Sequence, residues 1–371
     1  MLIGVDASRA VVPQRTGTEN YSLYLIRALL QEGAVHRFRL YFNRAPEPGL
    51  FLRDERVEWR VMPFPRLWTH IRLAWEVTRR PPDVLFVPAH VLPLAHPRHC
   101  VATVHDLGYL HYPEAHTPFA RRYLDWATRF NARVAQRVIV DSKATRDDLA
   151  ACYGVDPAKM VVAYPAGAEG MQPVTDEAVL EQTRRRYGTG PRYILYVGTI
   201  QPRKNLETLL RAFAAWVAEQ PMAADVRLVI VGKQGWLYEQ ILALARSLEV
   251  AGRVVFTGYA PAEDLPALLS GALAYVLPSW YEGFGLPVLE AMACDTPVIC
   301  SNVSSLPEVA GDAALLFDPA DARALTRALD QVCSDQELRL RMIERGRRQV
   351  QAFSWQRCAQ QVLGALVAAV G

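Results

Sequence analysis

Short apolar runs rich in Val, Ile and Leu recur along the whole chain, and a stretch of helical periodicity follows each one. In the first half they are Leu2–Val5, Arg39–Phe42, Val57–Met62, Val84–Val87, Val101–Val104, Val138–Val140 and Val161–Ala163. In the second half they are Tyr193–Val197, Leu228–Val231, Val254–Phe256, Ala274–Leu277, Pro297–Cys300 and Ala314–Phe317. A strand covered on both faces has no polar side, so it reads as a continuous apolar run rather than an alternation. Parallel strands need crossovers, and these are right-handed, so the pattern predicts a series of βαβ units. The intervening helices are amphipathic. Leu206–Val217 begins behind Asn205, a residue type suited to capping, and keeps Leu209, Leu210 and Phe213 on one side.

The pattern breaks once, near residues 166–191. Pro165, Gly167, Gly170, Pro173 and Gly188-Thr-Gly-Pro191 interrupt it around a charged helix containing Arg184–Arg186. The predicted class is therefore α/β, with two doubly wound Rossmann-like domains over 1–170 and 171–354 and a last helix over 355–371. Ligands bind such sheets outside the carboxyl ends of their strands. A cleft between two such faces is expected to bring a donor and an acceptor together.

Composition narrows the partners. The six cysteines are scattered and none forms C-x-x-C, so neither a disulfide framework nor a zinc site is expected. The N-terminus reads as a strand rather than a signal peptide, and no apolar run reaches membrane-span length. A cytoplasmic location follows as an expectation. The net charge is only +3, and no nucleic-acid recognition motif is present, so no nucleic acid is expected. Residues 1–170 carry 22 basic against 17 acidic side chains. Between Arg53 and Arg80, arginines alternate with Trp59, Phe64, Trp68 and Trp75. That mixture suits peripheral contact with an anionic membrane, and it equally suits a solvated face over core aromatics.

Two segments carry the chemistry. In Glu282-Gly-Phe-Gly-Leu-Pro-Val-Leu-Glu290, Gly283 and Gly285 mark a loop and Pro287 is placed to start a helix at its first position. The free N–H groups of Gly285 and Leu286 would face a diphosphate or sugar hydroxyls. Glu282 and Glu290 can accept hydrogen bonds from hydroxyls, or simply complement the helix dipole. In Val197-Gly-Thr-Ile-Gln-Pro-Arg-Lys-Asn205, Arg203 and Lys204 can neutralise a diphosphate, or form a solvated pair. The chain has four lysines, and two of them, Lys204 and Lys233, follow strands of the second domain. In the first domain, Thr16-Gly17-Thr18 is read as a loop before the helix Tyr21–Leu30. It would admit a phosphate, or form an ordinary turn. His105 ends a strand, where it can meet a ligand or serve the fold. No Asp-x-Asp sequence offers a metal site, so cationic side chains and helix amides are expected to stabilise a leaving group.

Together these segments resemble the retaining glycosyltransferases of family 4, the glycosyl transferases group 1, with the two-Rossmann-domain GT-B architecture. The likeness covers nearly the whole chain. It rests on Thr103-Val-His-Asp-Leu107, Val197–Asn205, Phe256-Thr-Gly-Tyr259, Glu282–Glu290 and Ser301-Asn-Val-Ser-Ser-Leu-Pro-Glu308, in the family's order. The resemblance implies that Glu290 binds the donor ribose and Glu282 the transferred sugar, near the amides of Phe284, Gly285 and Leu286. Lys204 is then the phosphate lysine, helped by Arg203, and His105 contacts the sugar. Gly17 lies in a loop that closes over donor and acceptor. Thr199, Lys233 and Tyr259 complete the donor-binding set, and His105, Lys204 and Glu282 form the catalytic one. The final helix is expected to return to the first domain. Three positions depart from the family: Thr199 and Asn20 stand where arginine is common, and Asp295 where glycine is.

The implied activity is metal-independent transfer of a hexose from GDP-mannose, or from a UDP- or dTDP-hexose, with no other cofactor. The acceptor would be a glycan or a lipid-linked intermediate at the inner face of the cytoplasmic membrane, in cell-surface polysaccharide synthesis. A nucleotide-sugar epimerase of the same architecture and a non-catalytic nucleotide-sugar sensor are the alternatives. An epimerase would turn over without acceptor, and a sensor would not turn over at all.

Overall fold

The computed structural model describes residues 1–371 except Gln14, Thr16, Leu52, Trp236 and Leu237. The chain forms two compact units. One comprises Met1–Ala166 with Phe353–Gly371, the other Gly167–Ala352. The first holds β1 (Leu2–Asp6), β2 (Arg37–Phe42), β3 (Val57–Val61), β4 (Val84–Val87), β5 (Cys100–Val104), β6 (Arg137–Val140) and β7 (Met160–Val162). Their order is β3-β2-β1-β4-β5-β6-β7, and every pairing is parallel. The second holds β8 (Arg192–Val197), β9 (Val226–Val231), β10 (Val254–Gly258), β11 (Ala274–Leu277), β12 (Val298–Ser301) and β13 (Ala314–Phe317). Their order is β10-β9-β8-β11-β12-β13, again all parallel. In each sheet the winding reverses once, between β1 and β4 and between β8 and β11. These are the topological switch points where open α/β sheets bind ligands.

Each run read as a strand is a strand, and only the ends differ. β9 begins at Val226 because Arg192 pairs with Val226 and Tyr193 with Arg227. Backbone pairing does not depend on side-chain polarity, so an apolar pattern misses such ends.

The last helix, Trp355–Val370, belongs to the first unit. It lies along the helix Gly17–Glu32 and buries Cys358, Ala359, Val362, Leu366 and Ala369 in that unit's core. Trp355 closes its start, with ring centroids 5.8 Å from Tyr21 and 5.7 Å from Tyr24. A buried Val or Leu contributes roughly 1.5–3 kcal/mol through apolar burial, so this helix is an integral layer of the unit.

Two local expectations are corrected. Asn205 precedes the helix Leu206–Glu219 in a left-handed conformation, φ 53°, and its side chain does not cap it. Its amide donates instead to the carbonyls of Pro278 at 3.0 Å and Pro319 at 2.9 Å. Gly17 is the first residue of its helix rather than part of a loop, and a Cβ there would meet nothing within 4 Å. Thr16, the other half of that expected loop, lies outside the described residues.

Leu366 is fully buried. Leu366→Ala is expected to cost about 2–5 kcal/mol through lost transfer energy and the cavity left behind, measured as a lowered urea midpoint.

Candidate functional site

In the second unit, β8 and β9 are each followed by a glycine, and the loops beyond them run side by side. The Gly198 amide donates to Val231 O at 2.9 Å, Ile200 N to Lys233 O at 3.0 Å and Gly235 N to Ile200 O at 3.0 Å. A Cβ on Gly232 would lie 1.9 Å from Gly198 O. Only glycine permits this approach. The arrangement sets Thr199 beside the β9 loop, and the Tyr196 hydroxyl donates to Thr199 O at 3.2 Å. Lys233 places its ammonium 5.1 Å from the ring centroid of Tyr259, which follows β10.

Beyond Thr199 the chain makes a 3-10 turn, Pro202–Lys204, and meets the loop after β11. There Trp280 N donates to Arg203 O at 3.0 Å. Lys204 Nζ donates to Glu282 Oε1 at 2.5 Å. Arg203 donates to Tyr281 O at 2.6 Å and reaches Glu282 Oε2 at 3.4 Å. Ser279 Oγ adds a bond to Glu282 Oε1 at 2.6 Å. The backbone is fixed as well: the Glu282 amide donates to Ser304 Oγ at 2.9 Å, and Ser305 Oγ donates to the carbonyls of Glu282 at 2.9 Å and Phe284 at 2.8 Å. Glu282 is only 7% exposed. Burial alone would raise its pKa, but Lys204 and Arg203 beside it hold the carboxyl below its ordinary value.

Gly285, φ 104°, leads into the helix Leu286–Ala293, and a Cβ there would lie 2.7 Å from Leu306. Pro287 stands at the second helical position rather than the first. The first helical bond is Val288 N to Gly285 O, 2.9 Å. The amides of Gly285 and Leu286 precede it, as helix-start amides do. Glu290 sits one turn further on, half-buried, with Gly167 against its side chain. Burial pushes its carboxyl up to about 7, against the pull of a hydrogen bond from the Ala168 backbone. The two glutamates thus differ in charge state for a physical reason: cations surround Glu282, and none offsets the burial of Glu290.

Past this helix, Asp295 adopts φ 57° and chelates Arg347 at 2.7 and 2.6 Å. A left-handed residue there accounts for the glycine expected at this position, and Asp tolerates the conformation.

In the first unit, His105 follows β5. Its Nδ1 lies 2.6 Å from Asp141 Oδ2, Tyr21 packs edge-on at 4.7 Å, and Thr145 Oγ1 donates to His105 O at 3.2 Å. A carboxylate accepts, so Nδ1 carries the proton. Burial would lower the imidazole pKa, but Asp141, together with Asp106 and a hydrogen bond to the Pro88 backbone, more than offsets it and the net shift is upward.

Lys204, Arg203 and Glu282 are thus in contact. Phe284, Gly285, Leu286 and Glu290 follow in one loop–helix segment. Thr199, Lys233 and Tyr259 occupy the adjoining strand-end loops, and His105 and Gly17 lie in the first unit. Sequence reasoning missed Asp141, Ser279, Ser304 and Ser305. The only signal for Asp141 was its place directly after a strand, and that of the serines was their place in motifs read for other residues. Among the described residues, no group of three or more His, Cys, Asp or Glu is placed to hold a metal ion.

Two outcomes follow from this geometry. Lys204→Met leaves a buried carboxylate with Arg203 as its one remaining neighbouring cation, so it should cost about 2–4 kcal/mol, and adding Glu282→Gln should recover part of that loss in urea unfolding. In Asp141→Asn, burial acts on His105 without its counter-charge. Its imidazole pKa, followed by NMR, should therefore fall below the ordinary value instead of lying above it.

Comparison with known proteins gives this arrangement its context. The family described as Glycosyl transferases group 1 matches residues 181–349, and that described as Glycosyltransferase Family 4 matches residues 15–166. The chain is 31% identical over 366 residues to the O-antigen chain mannosyltransferase B of Escherichia coli, covering 94% of this chain and 95% of that protein. In structure it resembles sucrose-phosphate synthase from Thermosynechococcus elongatus, with TM-score 0.74, 22% identity and 97% of each chain covered. It also resembles Anabaena Alr3699/HepE, solved in complex with UDP and glucose, with TM-score 0.75, 18% identity and 99% of each chain covered. At such identities these two likenesses concern the fold. The chain is a family 4 glycosyltransferase of the group 1 glycosyl transferases, with the GT-B fold.

Proposed function

We propose that this glycosyltransferase moves a mannosyl group from a nucleoside diphosphate sugar, GDP-mannose first among candidates, to a hydroxyl of a glycan or lipid-linked acceptor, with retention at the anomeric carbon. The observation that carries the reading is the cationic pair Lys204 and Arg203 on Glu282 at the switch point of the second sheet, beside a helix start. A sugar diphosphate needs what is assembled there: cations for its phosphates, amides for its oxygens and carboxylates for its hydroxyls. The mannosyl donor is favoured by the 31% identity to an O-antigen chain mannosyltransferase.

In this reading the bond from the anomeric carbon to the diphosphate breaks as the acceptor oxygen bonds to the same face. The hydroxyl proton passes to the departing phosphate oxygen, with no protein nucleophile. Lys204 and Arg203 stabilise the charge that develops on the leaving diphosphate, which is selective binding of the transition state. The amides of Phe284, Gly285 and Leu286, with Thr199, Lys233 and Tyr259, bind the donor. Glu282 orients the transferred sugar and Glu290 the ribose. His105 donates to the sugar, and Gly17 stands where a donor phosphate approaches the backbone. The enzyme works without a metal, in the cytoplasm at the inner membrane face, in surface-polysaccharide synthesis. Residues 53–80 make peripheral contact with the anionic membrane, and no helix among the described residues is long and apolar enough to cross one.

A panel of nucleotide sugars should raise the melting temperature most for the true donor, because a ligand bound only by the folded state stabilises by mass action. Lys204→Ala should cut transfer by 10²-fold or more, roughly the loss seen when one charge-stabilising donor is removed. Near-normal transfer in that variant would refute the assignment.

The Glu290 carboxyl, raised to about 7, gives a second test. Ribose hydroxyls donate more strongly to the ionised form, so donor binding favours loss of its proton. Donor affinity should therefore weaken as pH falls below about 7, and Glu290→Gln should lower affinity and flatten its pH dependence in calorimetry. A wild-type affinity independent of pH from 5.5 to 8 would remove Glu290 from the ribose.

A further inference from the structure

β3 is an edge strand of the first sheet, and the helical segments Thr69–Leu73 and Ala74–Arg79 pack beside it. Between them lies a cavity of about 370 Å³ lined by Trp59, Arg60, Arg72, Glu76, Arg79 and Arg80, among others. Its one lining carboxylate is already neutralised: Glu76 is buried and lies 3.2 Å from both Arg60 and Arg72. Arg79 and Arg80 have no carboxylate partner among the described residues, and Arg79 rests on the ring of Trp75 at 5.6 Å. Guanidinium groups without a carboxylate in one indentation call for an anion.

The surroundings say what carries that anion. Leu67, Ile71 and Trp75 project at helical spacing and are 67%, 48% and 54% exposed. The neighbouring helix Pro118–Val134 shows Phe119, Tyr123 and Trp126 on its outer side, and His70 meets Trp126 edge-on at 5.9 Å, joining the two strips. Arg66, Arg121 and Arg122 border them. A free phosphate or a small soluble anion gives no reason for six exposed apolar side chains beside its pocket, and a continuous apolar patch of this kind marks an interaction surface. An arginine-bordered aromatic face suits the headgroup region of an anionic bilayer.

We propose that this pocket seats the phosphate of an anionic phospholipid headgroup while Leu67, Ile71, Trp75 and Phe119 enter the interface, docking the first unit on the membrane. The proposal rests on the membrane contact put forward above and gives it a site.

Sedimentation of the full chain with vesicles tests it. The wild type should bind phosphatidylglycerol vesicles and not pure phosphatidylcholine ones. Arg79→Ala/Arg80→Ala should weaken binding on the order of thirty-fold, at about 1 kcal/mol per arginine, with an unchanged melting temperature. Arg323→Ala/Arg327→Ala, which removes the same charge from the second unit, should leave binding intact. Failure of the wild type to bind phosphatidylglycerol sinks both the membrane contact and the pocket. Binding that survives the Arg79/Arg80 change, or falls equally with the Arg323/Arg327 change, overturns the pocket alone. Equal binding to vesicles charged with oleate, which carries no phosphate, overturns it as well. Displacement from vesicles by millimolar glycerol phosphate at constant ionic strength would make a free phosphate the occupant and overturn the lipid.

Discussion

Glu282 is a carboxylate taken almost wholly out of water, and much of the second unit's ligand-facing end is arranged around the cost of doing so. An uncompensated charge at such a depth would be lost to protonation or unfolding. Lys204 and Ser279 bond one of its oxygens and Arg203 reaches the other. Because Lys204 and Arg203 come from the loop after β8 and Glu282 from the loop after β11, the same contacts lock the two strand ends that flank the winding reversal. Ser304 and Ser305, from the segment after β12, bind the backbone on either side of the carboxylate. Three separate crossovers are thus tied to one residue, and the helix carrying Glu290 starts from the resulting platform.

The two units handle charge in different ways. In the second, a carboxylate is held ionised by cations, and a second carboxylate on the next helix is left to titrate near neutrality. In the first, Asp141 holds the Nδ1 of His105 and favours its protonated ring. In each, neighbouring charges set the protonation of a buried group. Preorganisation of this kind spares the reorganisation that water would otherwise require during a charge-moving step.

The architecture could be read before any coordinates because buried parallel strands and amphipathic crossovers leave strong periodic marks, and glycines at strand ends mark tight loops. The candidate site was legible as residue types at strand ends. Its wiring was not. Asp141 lies 36 residues from His105 and Ser304 lies 22 from Glu282, and nothing in local spacing announces such partners. Asn205 looked like a helix cap because Asn before an apolar helix usually is one; here its amide is drawn off by two distant carbonyls. The arginine–tryptophan stretch was ambiguous for a similar reason. Trp68 turns inward and donates to Met62 O at 2.8 Å, while Trp75, seven residues on, faces out. Composition cannot divide such a run into its inner and outer members.

The return of the helix Trp355–Val370 to the first unit has a consequence for biosynthesis. The second unit, residues 167–352, is continuous and can mature as soon as its own strands have left the ribosome. The first unit cannot, because the residues that close one side of its core are translated only after the whole of the second unit. Until those residues emerge, the nascent protein carries an unfinished apolar face around Tyr21 and Leu25, the stage at which chaperone capture or premature termination would matter most.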